Sequence, residues 1–447
     1  MSEEQTVETN EIAYEDRPIQ EVEFLRETIT KSNFGGYAYT AEPAPGADVH
    51  GIWHCFHTDS RAGYAAHAVA ASWMIREEMK APLMLIPHRV KDIDIDNFPA
   101  DRDEMLLRWL SKSPVGFPEM LLVSLPPETQ MFGLGKATVY YSAYEATRVS
   151  QWTADTVNSK GMTAIWCVSD FVKRAFEAGG CNPSKLDVVR PMLCGGPWAM
   201  PEQMVPVERD EFVFGTMGTW HERKGFPHLI RAYFSQFRRD ENVVLNIRTS
   251  LFGKNKTITE FTDGVVKEIA EIAEEFGDDD YPRSKKMPRV RLQTGTDLSD
   301  QEVIDWLASL DGYVQPSFGE GLGIPAIWAK AVGCPLVCTD FGALGDFAVE
   351  LERETDSGTI DAIVKHRLVP VPQGQLVVSP MFHKKSEWGD YDPKDFGAAM
   401  RTVFERGRKK DIHGAVATRR LFGAEATVPV MAEAIKRRTG VSEWGTP

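Results

Sequence analysis

Short apolar runs alternate with amphipathic stretches along most of the chain, and this rhythm predicts repeated β-α units. Val49 to Phe56 reads as a buried strand, followed by a polar loop from His57 to Gly63 and an alanine-rich helix from Tyr64 to Met79. Pro82–Pro87, Met120–Leu125, Ala137–Tyr141, Thr163–Val168 and Leu186–Leu193 read as further strands. Ser169 is placed to cap a helix that carries Phe171, Val172, Ala175 and Phe176 on one face and stops at Gly179-Gly180. Cys194 to Val207 is rich in Gly and Pro without a period, which marks a linker. A second series follows. Strands are predicted at Glu211–Met217, Val243–Ile247, Val290–Leu292, Tyr313–Val314 and Pro335–Cys338. Helices are predicted from Gly225, over Thr262–Phe276, after a capping box at Ser299–Glu302, and over Ile324–Val332. Helices near 395–409 and 427–438 finish the chain.

Strand-helix alternation of this kind implies mostly parallel sheets covered on both faces. Such sheets bind ligands at the C-terminal ends of their strands. Two of them facing each other would leave a cleft between those ends. The 447 residues are enough for two large domains. The fold class expected is α/β, with two Rossmann-like lobes. The divisions are an acidic mobile tail over 1–24, a first lobe over 25–205, a second over 206–395, and C-terminal helices over 396–447 packing back across the lobes.

Charge and cysteine usage narrow the function classes. A net charge of -15 disfavours broad contact with nucleic acid or anionic lipid. The local exceptions are Arg406–Lys410 and Lys436–Arg438, which read as solvated helix faces. The polar start lacks the pattern of a signal peptide, and no run of about 18 apolar residues predicts a spanning helix. The six cysteines, Cys55, Cys167, Cys181, Cys194, Cys334 and Cys338, show no CxxC spacing, so they read as reduced core residues in a cytoplasmic protein rather than a zinc site.

Two loops carry the candidate chemistry. Gln315-Pro-Ser-Phe-Gly-Glu-Gly-Leu-Gly-Ile-Pro325 runs from a strand into a helix. Glycines there allow backbone N–H groups to approach a phosphate, and the helix start adds positive potential. By itself the segment reads equally well as a glycine-rich turn with a solvated Glu320. Gly215 to Gly225 also runs from strand to helix and ends in Arg223-Lys224-Gly225. An isolated Arg-Lys pair is more often solvated. Two such loops at strand ends of one lobe weigh against that.

These residues resemble the retaining glycosyltransferases of the GT-B fold, in the large group containing glycogen-synthase-like and mannosyltransferase enzymes. The carriers are Lys224-Gly225, Pro316-Ser317-x-x-Glu320-Gly321-x-Gly323-x-Pro325 and the continuation Ala329–Val337. Glu145-Ala-Thr-Arg148, Trp152 and Ile165–Ser169 look like a first-lobe stretch of some members. The resemblance implies that Lys224 binds the donor diphosphate and Glu320 the donor sugar, with help from Gly321, Leu322 and Gly323. Thr296 and Leu298 would lie near the nucleobase, and Gly63 would approach the donor from the first lobe. No metal or other cofactor is implied. The donor expected is a UDP- or GDP-sugar. The acceptor stays open among a glycan, a lipid-linked sugar, a protein and a modified DNA base.

The chain departs from the pattern twice. Trp328 stands where a second Glu would hold the donor ribose. Gly218 and Thr219 stand where a cation is usual, with Arg223 or Arg248 as substitutes. The acceptor-side candidates are His57, His88, Tyr144 and Glu145. Because of Trp328, a nucleotide- or sugar-binding protein on the same fold is the alternative reading. A two-lobed epimerase or a phosphorylase is a third, and the pyridoxal-binding lysine context of a phosphorylase is not seen.

Overall fold

A computed structural model describes residues 29–31, 37–39, 51–57, 63–88, 118–129, 135–193, 206–250, 257–276, 287–295, 298, 300–355, 361–378, 381–442 and 444. The tail over 1–24, most of the linker, Cys194, Thr296 and the Ser299 cap lie outside the described residues. A short antiparallel pair, β1 (Ile29–Lys31) and β2 (Tyr37–Tyr39), comes first.

The first large sheet has six parallel strands: β3 (Ile52–His57), β4 (Leu83–His88), β5 (Met120–Ser124), β6 (Ala137–Ser142), β7 (Ala164–Cys167) and β8 (Leu186–Val188). Their order is β4-β3-β5-β6-β7-β8. β5 and β6 are buried along their whole length, which is why they read as unbroken apolar runs. Helices α1 (Gly63–Trp73), α2 (Gln151–Asn158) and α3 (Asp170–Gly179) belong to this part of the chain. Ser169 caps α3 as predicted, accepting from the Val172 N–H, and Gly180 ends it at φ 99°. The strand expected over Leu186–Leu193 stops at Val188; Leu193 instead donates its N–H to Phe422 O.

The second large sheet also has six parallel strands: β9 (Phe212–Thr219), β10 (Val243–Ser250), β11 (Arg289–Thr294), β12 (Gly312–Gln315), β13 (Leu336–Thr339) and β14 (Ala362–Val364). Their order is β11-β10-β9-β12-β13-β14. The chain therefore reverses its direction of travel across the sheet between β9 and β12. The two candidate loops leave the C-terminal ends of those two strands, at the switch point where open α/β sheets form ligand crevices. The helices here are α4 (Phe226–Gln236), α5 (Ile258–Glu274), α6 (Asp300–Ser309), α7 (Ile324–Ala331) and α8 (Gly342–Glu354). The apolar stripe of α4 is buried through Phe226, Leu229, Ile230, Tyr233 and Phe234. α5 begins earlier than its apolar period suggests, because Thr257 and Glu260 form a capping box.

The C-terminal region contains a hairpin of β15 (Arg367–Pro370) and β16 (Glu387–Asp390), with α9 (Gln373–Val378) between them, then α10 (Pro393–Glu405), α11 (Ile412–Leu421) and α12 (Ala424–Thr439). The hairpin, α9 and α11 gave no signal in the sequence reading. The expectation of solvated basic helix faces holds for the exposed Lys409 and Lys436 and is overturned for Arg408, Lys410 and Arg438. Arg408 bonds Asp311, Lys410 Nζ donates to Ala308 O and Leu310 O, and Arg437 and Arg438 of α12 bond Asp187 at the edge of the first sheet. Most of these cations join elements distant in sequence.

Candidate active site

The loop after β9 is shaped by its own backbone. His221 caps a single 3-10 turn over Glu222–Lys224, its Nδ1 accepting the Arg223 N–H at 3.2 Å. Burial holds the His221 pKa below the ordinary value, which keeps that nitrogen an acceptor. Gly225 follows at φ 66°, and a Cβ there would lie 2.2 Å from Pro316 O. Only glycine allows both the left-handed turn and the close approach to the second loop. Phe318 N–H then donates to Arg223 O at 2.8 Å. The two loops are thus bound backbone to backbone, and Lys224 is delivered beside Glu320.

Lys224 Nζ lies 2.6 Å from Glu320 Oε1. Burial alone would raise the Glu320 pKa, but Lys224 and Arg223 outweigh it and hold the carboxyl down at about 2. Burial, with Arg223 nearby, pulls Lys224 below the ordinary lysine range despite the carboxylate. The site is therefore a desolvated ammonium whose bonded partner is one carboxylate. A phosphate oxygen offers the same charge and geometry.

Residues the sequence reading passed over orient that carboxylate. Tyr313 Oη accepts the Met217 N–H at 3.3 Å and donates to Gln315 Oε1 at 3.1 Å. Gln315 Nε2 donates to Ser317 Oγ at 2.7 Å and to Glu320 Oε1 at 3.2 Å. The available signal was alternation along β12, which puts Tyr313 and Gln315 on one face.

The first sheet supplies the wall facing this loop. Ser169 Oγ donates to Gly321 O at 2.7 Å while also capping α3. A Cβ on Gly319 would lie 2.0 Å from Glu145 O, and one on Gly321 2.8 Å from Tyr144 N. Gly323, at φ 78°, starts α7.

The remaining candidates fall in different places. Arg223 is turned toward protein partners: Gly319 O at 2.6 Å, Glu145 at 3.4 Å and Glu320 at 3.5 Å. It braces the two loops and draws Glu145 to them. Tyr144 is fully buried, and its hydroxyl bonds Arg148 O and approaches Ser386 Oγ at 3.3 Å, so it is committed to packing. Thr219 ends β9, paired with Ser250, and Arg248 pairs with Met217 one strand over. The Arg248 guanidinium lies 4.9 Å from the Trp306 ring, with its Nε buried and unbonded. Leu322 is buried, Leu298 is half-buried, and Trp328 is partly buried on α7 against the core. His57 and His88 are register partners at the C-terminal ends of β3 and β4; their side chains are outside the described residues. Gly63 opens α1. Among the described residues no group of three or more His, Cys, Asp or Glu is placed to hold a metal, and no helix is long and apolar enough to cross a membrane.

Comparison with known proteins places this arrangement. Two parallel six-stranded sheets of Rossmann-like order match the GT-B class. HepE of Anabaena, solved with UDP and glucose, superposes with a TM-score of 0.55 at 11% identity, over 87% of this chain and 100% of that one. A glycosyltransferase of Rickettsia africae gives 0.56 at 12% identity, over 87% and 98%. WaaG, a glycosyltransferase involved in lipopolysaccharide biosynthesis, gives 0.51 at 13% identity, over 87% and 100%. These likenesses establish the fold. The family model for glycosyl transferases group 1 matches residues 211–358, a stretch that contains β9 to β13 and both candidate loops. A 172-residue stretch is 27% identical to D-inositol 3-phosphate glycosyltransferase of Kribbella flavida, covering 37% of each chain.

Proposed function

We propose that the chain is a retaining, metal-independent glycosyltransferase that takes a sugar from a nucleotide-sugar. The carrying observation is the Lys224–Glu320 pair at 2.6 Å, held at the switch point of the second sheet. In this reading the donor diphosphate replaces Glu320 as the partner of Lys224. The released carboxylate turns to the sugar hydroxyls. The anomeric carbon exchanges its bond to the diphosphate oxygen for one to the acceptor oxygen, and the acceptor hydroxyl passes its proton to the departing diphosphate oxygen. Lys224 and the α7 start hold the charge that develops on the diphosphate, which is electrostatic stabilisation of the transition state. Residues 206–395 would form the donor side and residues 25–205 the acceptor side.

Arg248 supports the donor assignment further. A buried guanidinium Nε without a bond calls for an explanation, and a ligand group above the β10 and β11 ends supplies one. UDP-sugars are tested first, because HepE was solved with UDP.

The test is a thermal-shift screen against UDP-, GDP-, ADP- and dTDP-sugars, with hydrolysis of each binder followed over time. At least one donor should stabilise the chain, by about 2.7 kcal/mol at a hundred times its Kd, and the gain should shrink in Lys224→Ala and Glu320→Ala. Failure of every donor to bind sinks the reading. Trp328 in place of a ribose-binding carboxylate favours one competitor, a protein that binds the donor without transferring it; binding with neither hydrolysis nor transfer selects that competitor.

A further inference from the structure

A second charged cluster lies beside the candidate site, and the donor reading leaves it unused. Arg148 follows the first-sheet segment that packs on the donor loop. His383, Lys384 and Lys385 precede β16 in the segment that packs on both. The connections are short. Thr147 N–H donates to Glu387 O at 3.1 Å, Glu387 N–H donates to Thr147 Oγ1 at 3.0 Å, and Gly389 N–H donates to Phe318 O at 2.8 Å. Arg148 is three residues from Glu145, at most about 11 Å along an extended backbone, and Glu145 pairs with Arg223.

The cluster is mounted on a fixed turn. His383 N–H donates to Ser386 Oγ at 2.8 Å, Lys385 N–H to His383 Nδ1 at 3.0 Å, and Ser386 N–H to His383 O at 2.7 Å. Ser386 Oγ donates to Arg148 O at 2.6 Å, tying the turn to the Arg148 backbone. Lys384 and Lys385 are exposed, and Arg148 and His383 half-exposed. The side chains of Arg148, Lys384 and Lys385 have neither a hydrogen bond nor an ion pair among the described residues. Burial first, then the cationic charges of Arg148, Lys384 and Lys385, hold the His383 pKa below the ordinary value.

Several arginines of this chain of net charge -15 are placed differently. Arg174, Arg190, Arg209, Arg231 and Arg401 all meet carboxylates. Like charges gathered without counter-ions repel one another, and an incoming anion relieves that repulsion. The turn fixes the backbone beforehand, which lowers the cost of binding.

We propose that Arg148, His383, Lys384 and Lys385 form an anion-binding ledge at the edge of the donor loop, which holds a phosphate group carried by the acceptor. The proposal rests on the donor reading for the word acceptor; the ledge itself does not.

The test separates the two. Lys224→Ala disables the donor phosphate contact, and in that background the His383 ring resonance is followed by NMR. Glucose 6-phosphate should shift it saturably, inorganic phosphate should do so more weakly, and glucose should leave it unmoved. Adding Arg148→Gln, Lys384→Gln and Lys385→Gln should weaken glucose 6-phosphate at least tenfold, and raising NaCl should weaken it in the unsubstituted ledge. An equal response to glucose and glucose 6-phosphate overturns the proposal, as does unchanged binding after the triple substitution. Binding of inorganic phosphate alone, or of phosphatidylglycerol vesicles but not glucose 6-phosphate, overturns the acceptor assignment. Thermal stabilisation by UDP-sugar in the triple variant with Lys224 intact reports the donor reading independently. It should match that of the unsubstituted chain.

Discussion

Lys224 and Lys330 sit in the same lobe, each against carboxylates, and their pKa values move in opposite directions. Lys330 is fully buried on α7 and bonds both Asp361 and Asp411. Asp361 also accepts the Leu336 N–H at 2.7 Å, and Asp411 accepts the Gly414 N–H at 3.0 Å as the cap of α11. Two carboxylates outweigh desolvation, so the Lys330 pKa is raised. This triad fastens α7, β13 and α11 together. Lys224 has one carboxylate and an 18% exposed side chain, and its pKa is lowered. A lysine with two buried counter-ions is committed to the fold. In the proposed reading, a lysine with one, in the turn after β9, exchanges that partner for a phosphate.

The largest effect should come from breaking the structural lysine. Lys330→Met leaves Asp361 and Asp411 buried without a cation, at a cost of about 3–5 kcal/mol, read as a lowered urea midpoint. Lys224→Ala should reverse the pattern. Donor hydrolysis or transfer should fall about 10²–10³-fold, while stability falls by about 1–2 kcal/mol, because Gln315 and Arg223 still attend Glu320. A stability loss equal to that of Lys330→Met erases the distinction.

Gly321→Ala tests the wall facing the pair. Its Cβ would meet Tyr144 N at 2.8 Å, so the loop must shift. Donor KM should rise and stability drop by about 1–3 kcal/mol; an unchanged KM means the contact does not position the loop. Trp328→Glu supplies the carboxylate the family pattern expects. It should tighten UDP-sugar binding about tenfold, the worth of one charge-assisted hydrogen bond. No gain by calorimetry means the ribose lies elsewhere.

The smallest effect at working pH concerns Glu320. Its folded pKa, about 2, lies below the ordinary 4.5, so its stabilising contribution is complete above about 4.5 and is lost as pH falls toward 2. Stability should show no Glu320 component between pH 5 and 8. In acid, Glu320→Gln should lose less than the unsubstituted chain over that lower window.

Apolar runs and glycine-marked loops made both sheets legible, since buried parallel strands must be apolar and turns need glycine. The same reading took Arg408 and Lys410 for solvated charge, because spacing along the chain does not reveal a carbonyl a hundred residues away. β15 and β16, four residues each, were too short to show a period, and β15 is mostly exposed. Tyr144, Arg223 and Trp328 were named as site residues on position in the pattern, yet the hydroxyl of Tyr144 and the guanidinium of Arg223 are turned to protein partners.

The sequence by itself determined the α/β rhythm and the two loops, which are local properties of hydrophobic period and backbone freedom, and its family resemblance singled out Lys224 and Glu320 as separate donor contacts. Only the tertiary structure decided the strand order that brings β9 beside β12, the burial that separates Lys224 from Lys330, and the convergence of Arg148 with Lys384 and Lys385. Those depend on which distant groups share a low-dielectric neighbourhood, and desolvation and Coulomb forces act through space rather than along the chain.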